Sequence, residues 1–248
     1  MEKKVTTKIL KLLKSDEEYY MGLGKQFLSN SDIGTLLKNP RKFGVGLDES
    51  KTLIMGRYFH CLILEPEKAD EYKIYTGKVR RGKEYETFLA DNQVKFCMLQ
   101  SEQDDVHRWV DSMLTNMDFH DLIKEEGNLY EEPQVKEIHG ELWKGKADIV
   151  AKDYVLDLKT SGDITSFRKS VYNFNYDSQA YIYQQLFGKP LKFLVIDKST
   201  HMLGMYELKP ETLDRGEEKV KRAVDVYRKF YGDNPTEDVN QFYYNEII

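Results

Sequence analysis

Between residues 129 and 160 apolar and polar positions alternate with period two, while on both sides they recur every three to four residues. The alternating stretch divides into "LYEEPQVKEI", "ELWKGKADIVA" and "YVLDLKT", separated by "HG" and "KD". These read as three consecutive strands joined by tight turns. Upstream, "SNSDIGTLLKNPRKF" (29–43) predicts a short helix ended at "NP", with Ser29 or Ser31 accepting from its first free amides. "LIMGRYFHCLILEPEKADEY" (53–72) predicts an apolar helix stopped by Pro66, and helical segments are predicted from about 84 to 124. Downstream, a long helix is predicted over roughly 164–187, ending at Gly188-Lys189-Pro190. A strand pair, "KFLVIDKS" and "MLGMYEL", follows it. The closing helix then sets Val220, Ala223, Val224, Tyr227, Phe230 and Tyr231 on one face. The order αβββαββ, with helices before and after, predicts an α/β fold with a mixed central sheet flanked by helices. We read residues 1–248 as one domain: a mainly helical part (1–126), a core of strands and helix (127–208), and a C-terminal helix and tail (209–248).

Composition bounds this picture without naming a chemistry. A chain of 248 residues with 40% hydrophobic content can bury a core, and no repeat or low-complexity tract interrupts it. The formal charge of -5 announces no global field for nucleic acid, although a local basic groove remains compatible with it. Cys61 and Cys97 lie far apart and form no metal-ligand spacing, which suggests a reducing cytoplasm and no zinc or iron–sulfur centre. Lysines interrupt the apolar residues of "MEKKVTTKILKLLKS", so no signal peptide is expected, and no run approaches a membrane span.

The chemistry lies in "GKADIVAKDYVLDLKTSG" (145–162), where charges stand in strands that should be buried. Alternation places Asp157 and Lys159 on one face, and Asp148 can neighbour Asp157 across the turn. Two close carboxylates repel unless a cation lies between them, and hard oxygen ligands favour Mg2+ or Mn2+. The Lys159 ammonium could then orient or help deprotonate a water for attack on a phosphodiester.

At this point the residues resemble a family. "KAD-x(8)-DLKT" is similar to the PD-(D/E)xK nuclease core, with its restriction-endonuclease-like fold. "MGRYFHCLILEPEKADEY", "RRGKEYETFLADN" and "YDSQAYIYQQLFG" resemble, in order, three segments of phage and prophage RecE-like (exonuclease VIII-like) exodeoxyribonucleases. Tyr58-Phe59 and Tyr85 depart from that pattern, away from the metal ligands.

The resemblance implies a cytoplasmic phage or prophage enzyme that degrades one strand of linear double-stranded DNA, 5′ to 3′. It further implies two metal ions per site, a ring-shaped homo-oligomer, and a single-strand annealing recombination protein as partner. It implies an acidic ligand on the first strand, where alternation favours Glu131 over Glu132, and it brings His60 and the Leu158 backbone carbonyl to the metals. On the long helix Tyr176, Gln179 and Tyr183 share one face. Gln179 is assigned near Lys159, Tyr183 to support or phosphate contact, and Tyr176 to DNA. Lys78, Arg80, Arg81 and Lys83 form the densest basic run, read either as a solvated surface or as a phosphate clamp. Two rival readings are another PD-(D/E)xK endonuclease and a catalytically inactive DNA- or protein-binding module.

Overall fold

The computed structural model describes residues 6–46 and 48–245. After α1 (Thr7–Leu12), a π-helical turn (Glu17–Met21) and a 3-10 turn (Leu23–Gln26) lead to α2 (Asn30–Lys38). The Asp32 carboxylate accepts the Ser29 backbone N–H at 2.7 Å and closes the start of α2, and Pro40 bars its continuation. α3 (Lys51–Leu64) stops before Pro66. β1 (Ile74–Tyr75), α4 (Lys83–Asp91), β2 (Met98–Leu99), α5 (Gln100–Thr115) and α6 (Met117–Lys124) complete the helical part. β1 and β2 pair in parallel, a contact too short to leave a periodic signature.

β3 (Leu129–Ile138), β4 (Glu141–Val150) and β5 (Val155–Ser161) form the expected antiparallel meander. His139 and Gly140 both have positive φ (52° and 79°), the backbone of a two-residue type I′ hairpin. β6 (Leu191–Asp197) lies parallel to β5 and is reached through two helices, and β7 (Leu203–Glu207) pairs antiparallel with β6. The five-stranded sheet therefore has the order β3-β4-β5-β6-β7. Val155, Phe193 and Val195 pack on one face against the helices that follow β5. Leu156, Leu158, Leu194 and Ile196 pack on the other against α3, α5 and α6. Alternation along β5 and β6 thus builds both layers of the core.

The helix expected over 164–187 is two helices, α7 (Phe167–Asn173) and α8 (Tyr176–Phe187). Asn175 between them is left-handed (φ 58°, ψ 36°), a conformation asparagine adopts more readily than most residues. The break is held by a buried charge on α9 (Pro210–Phe230). Lys219 donates to the Tyr172 carbonyl (2.9 Å), to Asn175 Oδ1 (3.0 Å) and to the fully buried Asp177 (2.9 Å). Arg215 reaches the second Asp177 oxygen at 2.8 Å. The helices approach so closely that a Cβ at Gly216 would lie 2.2 Å from the Asp177 carbonyl oxygen. Periodicity cannot see this break, because its cause sits more than 40 residues downstream.

Removing Lys219 should leave Asp177 buried with half its charge partners and free the α7–α8 junction. Lys219→Ala is expected to destabilise the protein by about 3–5 kcal/mol in urea titrations. Arg215→Ala, whose side chain is half-exposed, should lose about 1 kcal/mol or less.

Candidate active site

The ladders of the meander place three carboxylates in one row. Tyr130 pairs with Ile149 and Glu132 with Ala147, so Glu131 stands opposite Asp148. Ile149 pairs with Leu156 and Val150 with Val155, and continuing that register by one step would set Asp148 opposite Asp157. Neither acidic pair is itself joined by the ladder. Glu131 has φ +50°, in the left-handed region where a non-glycine residue is strained by about 1–3 kcal/mol. The β4–β5 ladder ends at Ile149, and the Asp148 side chain takes over: its carboxylate accepts the Leu158 N–H at 2.6 Å.

The two aspartates then diverge. Asp148 turns toward α3, where His60 Nδ1 lies 3.3 Å from its carboxylate. Asp157 turns toward α8, where Gln179 donates to Oδ1 at 2.5 Å. Lys159 Nζ sits 2.5 Å from Asp157 Oδ2, close in charge but outside hydrogen-bond geometry, so this buried oxygen lacks a hydrogen-bond donor. Electrostatics follow these contacts. Burial works to raise the Asp148 carboxyl, but His60, Lys159 and the Leu158 amide together hold it below the usual range. Burial, with Asp148 nearby, pushes Asp157 up despite Lys159. Burial works to lower His60 and Lys159, and the aspartates beside them outweigh it and raise both. Glu131, half-buried and facing Asp148, is pushed up to about 8.

The remaining assignments divide. Glu132 points away and pairs with Lys14 at 2.5 Å. The Tyr183 hydroxyl donates to the Lys146 carbonyl at 2.8 Å from a buried ring, so it braces β4. The Tyr176 ring is half-buried beneath the Lys159 ammonium (4.9 Å) and against Phe193, a platform for the lysine. Arg80 leaves the basic run altogether. Both its terminal nitrogens bond Glu102, its Nε donates to the Cys97 carbonyl at 3.0 Å, and it stacks on Phe96. Three of its five N–H donors and the face of its guanidinium thus hold the fold together. Lys78, Arg81 and Lys83 are exposed and have no ion-pair partner among the described residues.

Two residues escaped the sequence reading. Lys144 and Lys146 are buried on β4 beneath Tyr19, and Lys146 also pairs with Asp16 at 2.5 Å. Burial brings the Lys144 ammonium down to about 8. The signal was present, because alternation puts 144, 146 and 148 on one strand face.

One ligand atom each from His60, Glu131 and Asp148 lies within 4.8 Å of the other two. Two carboxylates and one imidazole suit a hard divalent cation such as Mg2+ or Mn2+. Asp157 Oδ2, which has the Lys159 ammonium at 2.5 Å as its charge partner, stands outside this group. The grouping differs from the expected Asp148–Asp157 pair, because Lys159 and Gln179 already answer the Asp157 charge.

A family model described as a PDDEXK-like domain of unknown function matches residues 36–234. Among solved structures, a crystal structure of a proposed exonuclease from Eubacterium rectale superposes with a TM-score of 0.62 at 18% identity. That alignment covers 86% of this chain and 85% of the other, and it shows a shared fold. A second structure, that of SSO0001, aligns at 15% identity over 79% of this chain and 85% of its own, with a TM-score of 0.32. No curated protein matches the chain in sequence.

The raised Glu131 carboxyl makes stability depend on pH. Its ordinary value is 4.5 and its folded value about 8, so protonation favours the folded state. That contribution is whole below about pH 4.5 and disappears as pH rises through about 8. The metal-free protein should therefore lose thermal stability over this interval by on the order of 5 °C relative to Glu131→Gln. Saturating Mg2+ should remove the difference in the wild type, as read by scanning calorimetry at several pH values.

Proposed function

The chain belongs to the PDDEXK-like family whose model spans its residues 36–234, and we propose that it is a Mg2+-dependent exodeoxyribonuclease. It acts on linear double-stranded DNA, removing one strand 5′ to 3′. The single strand left behind passes to an annealing recombination protein in a phage or prophage setting. The observation that carries the hydrolytic reading is the row Glu131–Asp148–Asp157, with Lys159 against the unpartnered oxygen of Asp157. The ordered resemblance of three further segments to RecE-like enzymes supports an exonuclease over other members of the superfamily. A ring of copies would let a chain of formal charge -5 keep a basic channel inside, for which exposed Arg81 and Lys83 are candidates.

Glu131, Asp148 and His60 are the residues that would hold a divalent cation, with Asp157 and the Leu158 carbonyl available to a second. Bound there, the cation sets positive charge against the negative charge developing on the phosphoryl group. Lys159 stays protonated beside Asp157, so it serves as a cation that orients the attacking water and a phosphate oxygen rather than as a base. Gln179 fixes Asp157 through one oxygen and leaves the other facing the ammonium. Tyr176 forms the floor on which Lys159 rests, and Tyr183 steadies the strand that carries Asp148.

Asp157→Asn keeps the size of the side chain and should abolish hydrolysis, while duplex binding in Ca2+ persists. Lys159→Ala should slow single-turnover cleavage by roughly 10²–10³-fold, the loss of one positioned cation. Linear duplexes labelled at either end should be consumed while a closed circle of the same sequence survives. Nicking of the circle would replace the exonuclease by an endonuclease, and no cleavage of either would leave a binding module. The basic loop has its own test. Arg81→Ala should reduce the slope of log K against log[salt] by about 0.9, the loss of one phosphate contact. Arg80→Ala should instead lower thermal stability, because it strands the buried Glu102.

A further inference from the structure

A cavity of about 350 Å3 opens between the first turns of α3, the ends of β5 and β6, and α5. Its size falls at the lower end of the range for small-ligand sites. It adjoins the acid row without being part of it. Thr52, Gly56 and His60 follow one another at intervals of four on one face of α3, so Gly56 lies about 6 Å along the helix from His60. On the opposite wall Thr160 leaves β5 on the face turned toward α3 and α5, the reverse of the face that carries Asp157 and Lys159. The His60 end of the acid cluster is thus about one turn of α3 away from the cavity wall.

Two glycines in its wall have no structural reason to be glycine. Gly56 is inside a helix, where glycine is about 1 kcal/mol less favourable than alanine. A Cβ at Gly56 or Gly162 would meet no heavy atom within 4 Å, and neither residue has a positive φ. Gly216 and Gly24, by contrast, are forced, because a Cβ there would lie 2.2 and 2.0 Å from a backbone oxygen. What Gly56 and Gly162 preserve is room in the cavity.

The walls state what that room suits. Met55 and Trp109 give it an apolar floor, and the indole N–H is already spent on the Lys198 carbonyl at 3.0 Å. At the rim the Lys198 ammonium has no carboxylate partner among the described residues. Lys51 reaches only Glu102, at 3.4 Å, and that carboxylate is already held by Arg80. The one acid in the wall, Asp105, is paired with Arg108. An apolar floor beneath one unpaired ammonium, Lys198, and a second, Lys51, that shares Glu102 with Arg80 matches a flat ring joined to a phosphate. Resting on the nuclease reading above, we infer that this cavity binds one nucleotide unit of the DNA strand, the base against Met55 and Trp109 and a phosphate at Lys51 and Lys198, next to the phosphodiester that is cut.

The chain has two tryptophans, and the other, Trp143, is fully buried in the opposite layer of the core, so Trp109 emission reports occupancy. Metal-free protein would be titrated with a deoxynucleoside 5′-monophosphate, with 2-deoxyribose 5-phosphate and with inorganic phosphate, following fluorescence and heat. The nucleotide should quench Trp109 saturably, and the two baseless compounds should bind roughly tenfold more weakly or worse. Gly56→Leu fills the cavity from a helical position that favours leucine, so it should keep its melting temperature and lose the quenching. It should also lower kcat/KM on linear duplex roughly tenfold or more. Lys198→Glu should weaken nucleotide binding without filling the cavity. Absence of nucleotide binding, an equal response to inorganic phosphate, or Gly56→Leu titrating like wild type would each overturn the inference. A Gly56→Leu protein that degrades DNA at the wild-type rate sinks the placement beside the cut and leaves the nuclease intact. Wild type that binds the nucleotide but cuts no DNA sinks the nuclease reading instead.

Discussion

Like charges arranged across one row of a sheet repel, and the repulsion among Glu131, Asp148 and Asp157 governs the surroundings of the site. Cross-strand neighbours about 5 Å apart interact by on the order of 3 kcal/mol at the effective dielectric of a protein interior. Three responses are visible. Asp148 turns to His60 and to a backbone amide, Asp157 turns to Lys159 and Gln179, and Glu131 holds its proton to about pH 8. Each response removes charge density that a bound divalent cation would otherwise neutralise. The left-handed backbone at Glu131 belongs to the same account: it breaks the ladder where the row would be tightest.

The positions of these partners depend on packing well away from the row. Gln179 meets Asp157 because α8 begins where it does, one residue after the left-handed Asn175. That break is fixed by Lys219 reaching Tyr172, Asn175 and Asp177 from α9. A buried ion pair of this kind is weak evidence for stability, but it sets the register of one helix against another. The line from Lys219 through α8 to Gln179 and Asp157 is continuous, so the C-terminal helix takes part in the geometry of a site it does not touch.

Much of this was legible in the sequence where the cause was local. The meander, its "HG" hairpin, the stops at Pro40 and Pro66 and the pairing of β6 with β7 follow from periodicity and turn chemistry. The shared face of Asp157 and Lys159 follows from alternation along β5. What escaped had a distant cause. Arg80 looked free because Glu102 is 22 residues away, and the α7–α8 break is imposed from α9. That Asp148 turns to His60 and Asp157 to Gln179 required knowing that the β4–β5 ladder stops at Ile149. Lys144 and Lys146 were readable from their spacing, but their burial depends on the Tyr19 segment lying across them.

The meander has a consequence for the order in which the molecule assembles. Glu131, Asp148 and Asp157 come from 27 consecutive residues, joined by two short turns whose pairings are local in sequence. Local pairings close small loops and form early, whereas the parallel β5–β6 contact must wait for α7 and α8 to be laid down. His60 arrives from a helix some 70 residues upstream of the first of these acids and packs through the other layer of the core. A nascent chain would therefore present its three repelling acids before the histidine, Lys219 or Gln179 could restrain them.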